Sequence, residues 1–347
     1  MIIQSLGIKS IQKENGLTYI EAINYTQSLE RCGRPKENKM KFFAGPSNPQ
    51  LSKELCANLG ETLGNVILKK FSDGEPYVEY KDSVRGHHVV IIQGFPEPFE
   101  TNLMFGCLMA YGAKKNGAKD ITMVVPYFGG ARQDRRVNEV RSATTAAWVA
   151  QTLWSSGVTQ LVTVDIHSPT IIEGAFPGPS INEESKKLLV ADIMAKNNLQ
   201  NSIIVSPDPG GGDRANRLAD ELVRGVAICY KRRIEANQIK EMKLLGKIEG
   251  KDIIIVDDMF DTCGTLAECV KEVKKHGARK VVAYATHGVF SGNALKRIED
   301  SELEEVVVTS SIEKIDKKTK SSSSKIRTIS VTPVLVEAMH RAMTFSK

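Results

Sequence analysis

Residues 252–266 read DIIIVDDMFDTCGTL, in which an aliphatic run gives way to carboxylates and then to small or hydroxylated residues. The consecutive aliphatic residues 253–256 are typical of a strand covered on both faces, as in a parallel sheet. The small residues after the carboxylates are predicted to open a helix that continues through Leu266. A strand, a tight loop and a helix N-terminus present free backbone N–H groups where a phosphate can bind.

Three carboxylates adjoin this loop: Asp257, Asp258 and Asp261. They would repel a phosphate unless they hold something else, and sugar hydroxyls or Mg²⁺ ions are suitable candidates. The segment therefore predicts a site for a phosphorylated sugar, with the phosphate on the amides and the hydroxyls and metal on the carboxylates. Taken alone, it is also compatible with an ordinary strand, turn and helix bearing surface acids.

Outward from this segment, aliphatic strands alternate with helical stretches along the chain. Predicted strands lie at 41–44, 88–92, 121–125, 161–164, 202–205, 226–229, 281–284 and 306–308. After the first strand, Asn48 and Pro49 suit the N-cap and first position of a helix that Gly60 ends. Charged or glycine-rich loops follow the strands, at the edge where open α/β sheets bind ligands. The pattern predicts an α/β fold with mainly parallel sheets flanked by helices.

Several of these loops carry candidate site residues. The basic, glycine-rich loop 126–136 suits a polyphosphate, although a solvated charge run is an equal alternative. His167 follows a strand beside an aspartate, which makes it a candidate for metal or phosphate binding, although a lone histidine is more often structural. Three consecutive glycines at 210–212 let backbone amides approach an anion closely. Residues 210–215 also match a loose dinucleotide pattern, which the flanking prolines and the basic region downstream disfavour.

Composition narrows the class of protein. The chain has 347 residues and a formal net charge of +6. This modest excess of positive charge suits an enzyme that binds polyanionic phosphates. The basic residues cluster in loops next to glycines and acids, not along one helix face, so we expect no nucleic-acid partner.

The six cysteines lack paired spacing, which indicates free thiols in a reducing compartment. No apolar run approaches the length of a membrane span, and acidic residues in the first forty positions argue against a signal or transit peptide. We therefore expect a cytoplasmic protein.

Taken in order, these segments resemble the ribose-phosphate diphosphokinase family, also called phosphoribosyl pyrophosphate (PRPP) synthetases. The resemblance runs from about residue 40 to the C-terminus and rests on segments 71–75, 126–136, 165–167, 206–215, 231–233, 257–265 and 286–292. Departures occur at Pro46, at Gly130, where an aromatic residue is usual, and across residues 168–180. They bear on phosphate activation and ADP inhibition more than on catalysis.

The resemblance implies a domain organisation. We expect an N-terminal extension at 1–39, for which disorder is the simplest interpretation, and two type I phosphoribosyltransferase-like domains at 40–185 and 186–335. The second domain would carry the ribose 5-phosphate loop, and a C-terminal segment at 336–347 would pack back on the first domain. The family also implies a homo-oligomer, a hexamer built from dimers.

The resemblance further implies transfer of the β,γ-diphosphoryl group of ATP to the anomeric hydroxyl of ribose 5-phosphate, giving PRPP and AMP with Mg²⁺ as cofactor. The implied ribose 5-phosphate ligands are Asp257, Asp258, Asp261, Thr262, Cys263, Gly264 and Thr265. The implied ATP ligands are Phe71, Asp73, Glu75, Arg132, Gln133 and His167, the first three forming an adenine pocket that reaches in from a neighbouring subunit. The diphosphate would face Asp208, Gly210 and Gly211, and metal would bind at His167 and Asp208. Lys231 and Arg233 would be catalytic, stabilising charge on the transferring phosphorus.

Two rival functions share parts of this pattern. A phosphoribosyltransferase that consumes PRPP shares the loop at 257–265, but such enzymes need neither the adenine segment 71–75 nor the basic segment 231–233. A non-catalytic, regulatory PRPP synthetase-associated subunit is the second rival. Its members disrupt the catalytic loop, whereas Lys231, Arg233, His167 and Asp208 are all present here.

Overall fold

Two parallel-rich β-sheets and one small hairpin organise the computed structural model, which describes residues 40–136, 141–232, 241–313 and 323–344. The extension expected at 1–39 and the predicted catalytic residue Arg233 lie outside the described residues. The strands form where the sequence carries aliphatic runs, because helices cover both faces of each sheet.

The first sheet is parallel throughout and has the strand order β1-β4-β5-β6-β7. The elements of this half are β1 (Met40–Ala44), α1 (Pro49–Leu59), β2 (Val66–Lys70), β3 (Pro76–Tyr80), β4 (His88–Ile92), α2 (Phe99–Lys115), β5 (Asp120–Val125), α3 (Thr145–Ser156), β6 (Gln160–Val164), α4 (Pro169–Ala175) and β7 (Ser180–Glu183). Strands β2 and β3 pair with each other as an antiparallel hairpin. All five residues of β4 are buried, as the apolar run 89–92 predicts for most of the strand.

The second sheet has the order β10-β9-β8-β11-β12-β13-β14, and among the described strands of this sheet only the β9–β10 pair is antiparallel. Its elements are α5 (Lys186–Lys196), β8 (Ser202–Ser206), α6 (Gly212–Leu222), β9 (Gly225–Arg232), β10 (Glu241–Leu245), β11 (Asp252–Phe260), α7 (Gly264–Lys275), β12 (Val281–Gly288), α8 (Ala294–Glu299), β13 (Glu305–Thr309), β14 (Ile326–Ile329) and α9 (Thr332–Thr344). The predicted α/β class, with mainly parallel sheets flanked by helices, is confirmed.

Strand β11 is longer than its aliphatic run indicated. It continues to Phe260 because β12 extends beside it and pairs Met259 with His287 and Phe260 with Gly288. Asp257 and Asp258 therefore lie within the strand, where backbone pairing holds them, and Asp261 is the first of the three carboxylates to lie beyond it.

The beginning of α1 also differs from the sequence prediction. Pro49 is the first helical residue and Gly60 ends the helix in a left-handed conformation, but the Asn48 side chain does not cap α1. Its Oδ1 accepts from the backbone N–H of Gly94, and its Nδ2 donates to the carbonyl of Ser311 in the other half of the chain. A buried amide that finds tertiary partners has none of its polar atoms left for the helix end.

The last helix returns to the first sheet. Leu335, Ala338 and Met339 of α9 are buried against a cluster that includes Phe42 of β1 and Val90 of β4. Burial of this apolar face ties the C-terminal helix to the first half of the chain. Among the described residues, no helix is both long enough and apolar enough to cross a bilayer.

Candidate active site

The carboxyl edges of the two sheets face each other, and side chains from both meet between them. His167, which follows β6, approaches Asp258 of β11, with 2.5 Å between Nδ1 and Oδ2. Arg132, in the loop after β5, donates through Nη1 to Asp261. These contacts bring loops of the first sheet against the carboxylates of the second sheet. The carboxyl edges of the two sheets therefore form one candidate site.

The pKa values of the adjacent carboxylates Asp257 and Asp258 are shifted in opposite directions. Burial and the negative charge of Asp258 raise the pKa of Asp257 well above its usual value. Burial also acts to raise the pKa of Asp258, but the His167 hydrogen bond and the Arg214 guanidinium outweigh it and hold that pKa far below the usual range. Arg214 lies between the two, with Nη1 at 3.6 Å from Asp257 Oδ1 and 3.7 Å from Asp258 Oδ1.

The same contact favours the charged form of His167. The hydrogen bond to Asp258 raises the pKa of His167, an effect that burial only partly opposes. The Nδ1 atom faces the carboxylate, so Nε2 is the ring nitrogen that can meet a ligand. A protonated imidazole there can donate to a phosphate oxygen.

The loop after β11 provides an anion-binding helix end. Cys263 has φ +58° and precedes α7, and no side chain caps the first turn of that helix. The backbone N–H groups at the start of α7, near Gly264 and Thr265, therefore point out of the helix without an intrahelical partner. Arg297 of α8 donates to the carbonyl of Thr262 at 2.6 Å, which places a cation beside the loop.

The glycine-rich loop after β8 lies next to these carboxylates. Asp208 Oδ1 accepts from the backbone N–H of Gly211 at 3.0 Å, which closes a single 3₁₀ turn at Pro209–Gly211. A Cβ on Gly211 would lie 2.7 Å from Ser206 Oγ and 3.9 Å from Asp257 Oδ1, so the backbone there approaches the site too closely for a side chain. Gly210 is exposed on the same turn.

The basic loop after β5 is held by its neighbours in the first half. Gln133 Oε1 accepts from the hydroxyl of Thr145 at the start of α3. Gly130, where the family usually has an aromatic residue, has φ +84°, and the Phe99 ring lies 3.3 Å from the position of a Cβ. The backbone conformation and the nearby ring both favour glycine at this position.

The predicted adenine residues lie at the tip of the β2–β3 hairpin. Phe71, Asp73 and Glu75 are exposed, and their contacts are local: the Phe71 ring packs edge-on against Tyr77, and Asp73 Oδ1 accepts from the Glu75 backbone. The structure does not bring them onto the carboxylates of the same chain through any contact recorded among the described residues. An exposed aromatic ring at a hairpin tip is available to another molecule.

Lys231 lies near the end of β9, and its side chain points to α7, the helix that follows the loop after β11. Its Nζ is 3.3 Å from Thr265 Oγ1 and 3.0 Å from Glu268 Oε2. Among the predicted catalytic residues, this is the one that the structure describes, and it lies beside the first turn of α7.

Two arginines of the site were not predicted from the sequence. Arg214 lies inside the glycine-rich segment 206–215, so its place two positions after the last of the three glycines was a signal that could have indicated it. Arg297 is in α8, and nothing in the local sequence distinguishes it from other surface cations. Arg132 and Arg214 lie against the carboxylates, whereas Lys231 and Arg297 lie beside the start of α7. This arrangement is suited to a phosphorylated ligand that also carries hydroxyls or a metal ion.

Comparisons with known proteins agree with this chemistry. Residues 40–157 match a family model described as the N-terminal domain of ribose phosphate pyrophosphokinase, and residues 232–345 match one described as the phosphoribosyl synthetase-associated domain. The chain is 42% identical over 302 residues to a ribose-phosphate pyrophosphokinase of Ralstonia nicotianae, covering 87% of this chain and 94% of that protein. It is 39% identical over 304 residues to one of Aquifex aeolicus, covering 88% and 96%. A crystal structure of phosphoribosylpyrophosphate synthetase from Mycobacterium smegmatis superposes with a TM-score of 0.82 at 30% identity, covering 89% of this chain and 100% of that one.

Proposed function

Because the chain belongs to the ribose-phosphate pyrophosphokinase family, we propose that it transfers the diphosphoryl group of ATP to the anomeric hydroxyl of ribose 5-phosphate, giving PRPP and AMP for nucleotide biosynthesis. The observation that carries the proposal is the contact of His167 with Asp258. It joins a sugar-phosphate loop on one sheet to polyphosphate-binding loops on the other, as a reaction between two phosphorylated substrates requires.

Ribose 5-phosphate is assigned to the end of β11. Its phosphate binds the N–H groups of residues 262–265, where the uncapped start of α7 and the nearby Arg297 both favour an anion. Its ring hydroxyls donate to Asp257, Asp258 and Asp261. Cys263 supports the loop through its left-handed backbone and through its buried thiol, which donates to the carbonyl of Asp261 at 3.8 Å.

ATP is assigned to the loops of the first sheet. Arg132, Gln133 and His167 contact its phosphates or ribose, and the diphosphate to be transferred lies against Asp208, Gly210 and Gly211. His167 is assigned to the ATP phosphates or, together with Asp208, to the metal, and the hydrogen bond to Asp258 that raises its pKa favours a contact with a phosphate. The adenine pocket is assigned to Phe71, Asp73 and Glu75 of a neighbouring subunit.

Mg²⁺ fits the donor chemistry of this site. Magnesium prefers oxygen ligands and is usually held by one or two carboxylates together with substrate phosphates and water. Among the described residues, no group of three or more His, Cys, Asp or Glu side chains is placed to hold a metal ion. Asp208 and the Asp257–Asp258 pair supply the carboxylates. When bound, the ion would neutralise charge on the diphosphate and reduce its repulsion of ribose 5-phosphate.

The transfer itself needs few protein groups. The anomeric oxygen attacks the β-phosphorus and loses its proton, while the bond from that phosphorus to the α,β-bridging oxygen breaks and AMP departs with the oxygen. Negative charge grows on the leaving AMP and on the transferring group, and Lys231 and Arg233 are assigned to stabilise it. Lys231 lies beside Thr265, which puts its cation next to the sugar-phosphate loop.

A homo-oligomer, a hexamer built from dimers, completes the proposal. Beyond the hairpin tip, the helices α2 and α3 expose large apolar side chains: Met104 and Tyr111 are each 50% exposed and Trp148 is 54% exposed. Such a patch is unusual for a monomer and suits a second copy of the chain. The five described cysteines are free, which supports a reducing, cytoplasmic compartment.

A regulatory, non-catalytic subunit is the alternative function. One matching family model is described as synthetase-associated, but the whole-chain relatives are ribose-phosphate pyrophosphokinases. The charged groups that a regulatory subunit could lose, Lys231, His167 and Asp208, are all retained.

The test is incubation with ATP, Mg²⁺ and ribose 5-phosphate, followed by measurement of AMP, ADP and PRPP. We expect AMP and PRPP in equal amounts, and no AMP when ribose 5-phosphate is omitted. Asp258→Asn should abolish the reaction. Asp252→Asn is the matched control, since it lies at the other end of β11 and binds Arg279 outside the site. Product formation limited to ADP, or no product at all, would contradict the proposal.

A further inference from the structure

The segment 286–292, at the end of β12, has no role in the mechanism above, yet its first two residues join the sheets. Thr286 Oγ1 donates to Asp165 Oδ2 at 2.5 Å, and His287 Nε2 lies 3.2 Å from the carbonyl oxygen of Asp165. Thr286 and His287 are each only 2% exposed. They belong to the second sheet, whereas Asp165 directly follows β6 of the first.

The proton positions in this cluster follow from its hydrogen bonds. Because the Thr286 hydroxyl donates to Asp165, the Ser185 hydroxyl 2.7 Å away must donate to Thr286. Ser185 also donates its backbone N–H to Asp165 Oδ2 at 3.0 Å. The Asp165 carbonyl can only accept, so the His287 proton is on Nε2, and Nδ1 accepts from Ser311 Oγ at 2.9 Å. Burial lowers the pKa of His287, which keeps the ring neutral in this role.

Asp165 needs these partners because its backbone is strained. Its φ is +41°, in the left-handed region that costs a residue with a Cβ about 1–2 kcal/mol. On the other side of the turn, the N–H of Ile166 donates to Asn182 Oδ1 at 3.0 Å. The turn is thus held from both sheets, and the next residue, His167, is the one that meets Asp258.

The same two residues also flank the strand that carries Asp258. Strand β12 pairs with β11 in a register that places His287 opposite Met259. Thr286 and His287 are therefore fixed relative to Asp258 by the sheet and relative to His167 by Asp165.

We propose that Thr286 and His287 are positioning residues that act through Asp165 to aim His167 at Asp258. The inference rests on the proposed function for its activity readout, but its geometric claim stands apart from that function. Without the Thr286 hydroxyl, the Asp165 carboxylate loses its bond to the second sheet, the longer His287 contact to the Asp165 carbonyl is left, and the strained turn can relax away from β11. A displacement of about 1 Å near reacting groups can cost on the order of a hundredfold in rate.

Thr286→Val tests the proposal, because valine keeps the shape of threonine and removes the hydroxyl. We expect kcat to fall by about tenfold or more, and Thr286→Ser, which restores the hydroxyl, to recover most of it. The matched control is Thr122→Val. Thr122 is also fully buried, and its hydroxyl bonds Gln160, but it lies in β5 away from the site. It should lose stability as Thr286→Val does while kcat stays close to that of the parent protein.

A double-mutant cycle separates positioning from general structural damage. If Thr286 acts through His167, then Thr286→Val should have little further effect on kcat in a His167→Ala background. A crystal structure of Thr286→Val should show His167 Nδ1 beyond hydrogen-bond distance from Asp258. Additive effects in the cycle, or an unchanged His167–Asp258 contact, would overturn the inference. A parent protein that makes no PRPP would instead overturn the proposed function, while the crystal structure would still decide the geometry.

Discussion

Replacement of Lys231 by alanine should separate catalysis from folding. In the structure the Lys231 ammonium contacts Glu268 Oε2 at 3.0 Å and Thr265 Oγ1 at 3.3 Å. The side chains of this ion pair are 36% and 52% exposed. An exposed pair of this kind contributes only about 0–1 kcal/mol to folding. The unfolding free energy of Lys231→Ala should therefore lie within about 1 kcal/mol of the parent value.

The effect on turnover should be much larger. A cation that stabilises charge mainly in the transition state contributes roughly 3–4 kcal/mol, which corresponds to two to three orders of magnitude in rate. We expect kcat to fall at least about a hundredfold, with KM for ATP and ribose 5-phosphate changed only a few fold. Steady-state measurement of AMP release gives kcat and KM, and urea unfolding of the same preparations gives the stability.

Matched variants decide between the two explanations. Glu268→Gln removes the same ion pair but leaves the cation, so it should be nearly as active as the parent protein. Arg233→Ala should resemble Lys231→Ala, because both cations are assigned to the same developing charge. Arg232→Ala should be mild. Equal losses in Arg232→Ala and Arg233→Ala, or a loss in Glu268→Gln as large as that in Lys231→Ala, would refute the catalytic assignment.

Three further predictions concern stability and assembly. Burial acts to raise the pKa of Asp192, but paired hydrogen bonds from Arg327 outweigh burial and lower that pKa from its usual value of 3.8. The ionised Asp192 therefore stabilises the folded protein above pH 3.8, and this stabilisation is lost as the pH falls through the lowered pKa. In Asp192→Asn, the unfolding free energy should depend less on pH in the acid range than it does in the parent protein. An unchanged pH dependence would contradict this prediction. Leu335→Ala, at a fully buried position of α9, should cost about 2–5 kcal/mol in urea unfolding, whereas a loss below about 1 kcal/mol would mean that α9 is not anchored there. If Phe71 serves a neighbour's adenine pocket, monomers isolated by dilution and sized by light scattering should be nearly inactive, and a fully active monomer would refute the shared pocket.

The sequence was most informative where a single physical pattern dominated. The predicted strand 88–92 coincides with β4, because burial on both faces favours the apolar run 89–92 that follows His88. The loops expected to bind ligands do lie at the carboxyl edges of the strands, since parallel strands bring those ends to one side of each sheet. The meeting of the basic loops with the carboxylates is the structural consequence of two such edges facing each other.

Contacts between distant segments were not predictable in this way. His167 and Asp258 are 91 positions apart, and their pairing depends on how the two sheets are placed. Arg297 is brought to the carbonyl of Thr262 by the path of α8, which has no local signature. Asn48 has the right residue type and position for an N-cap, yet buried partners from Gly94 and Ser311 bind its side chain. In each case tertiary packing decides which of several permitted hydrogen bonds forms.

The destination of the β-phosphorus of ATP tests the central claim most directly. ATP labelled with ³²P at the β-position is incubated with Mg²⁺ and ribose 5-phosphate, and the nucleotides and PRPP are separated. Transfer of the diphosphoryl group predicts that the label appears in PRPP and that the AMP is unlabelled. Label in ADP, with PRPP unlabelled or absent, would mean that only the terminal phosphoryl group moves or that ATP is merely hydrolysed, and would contradict the account.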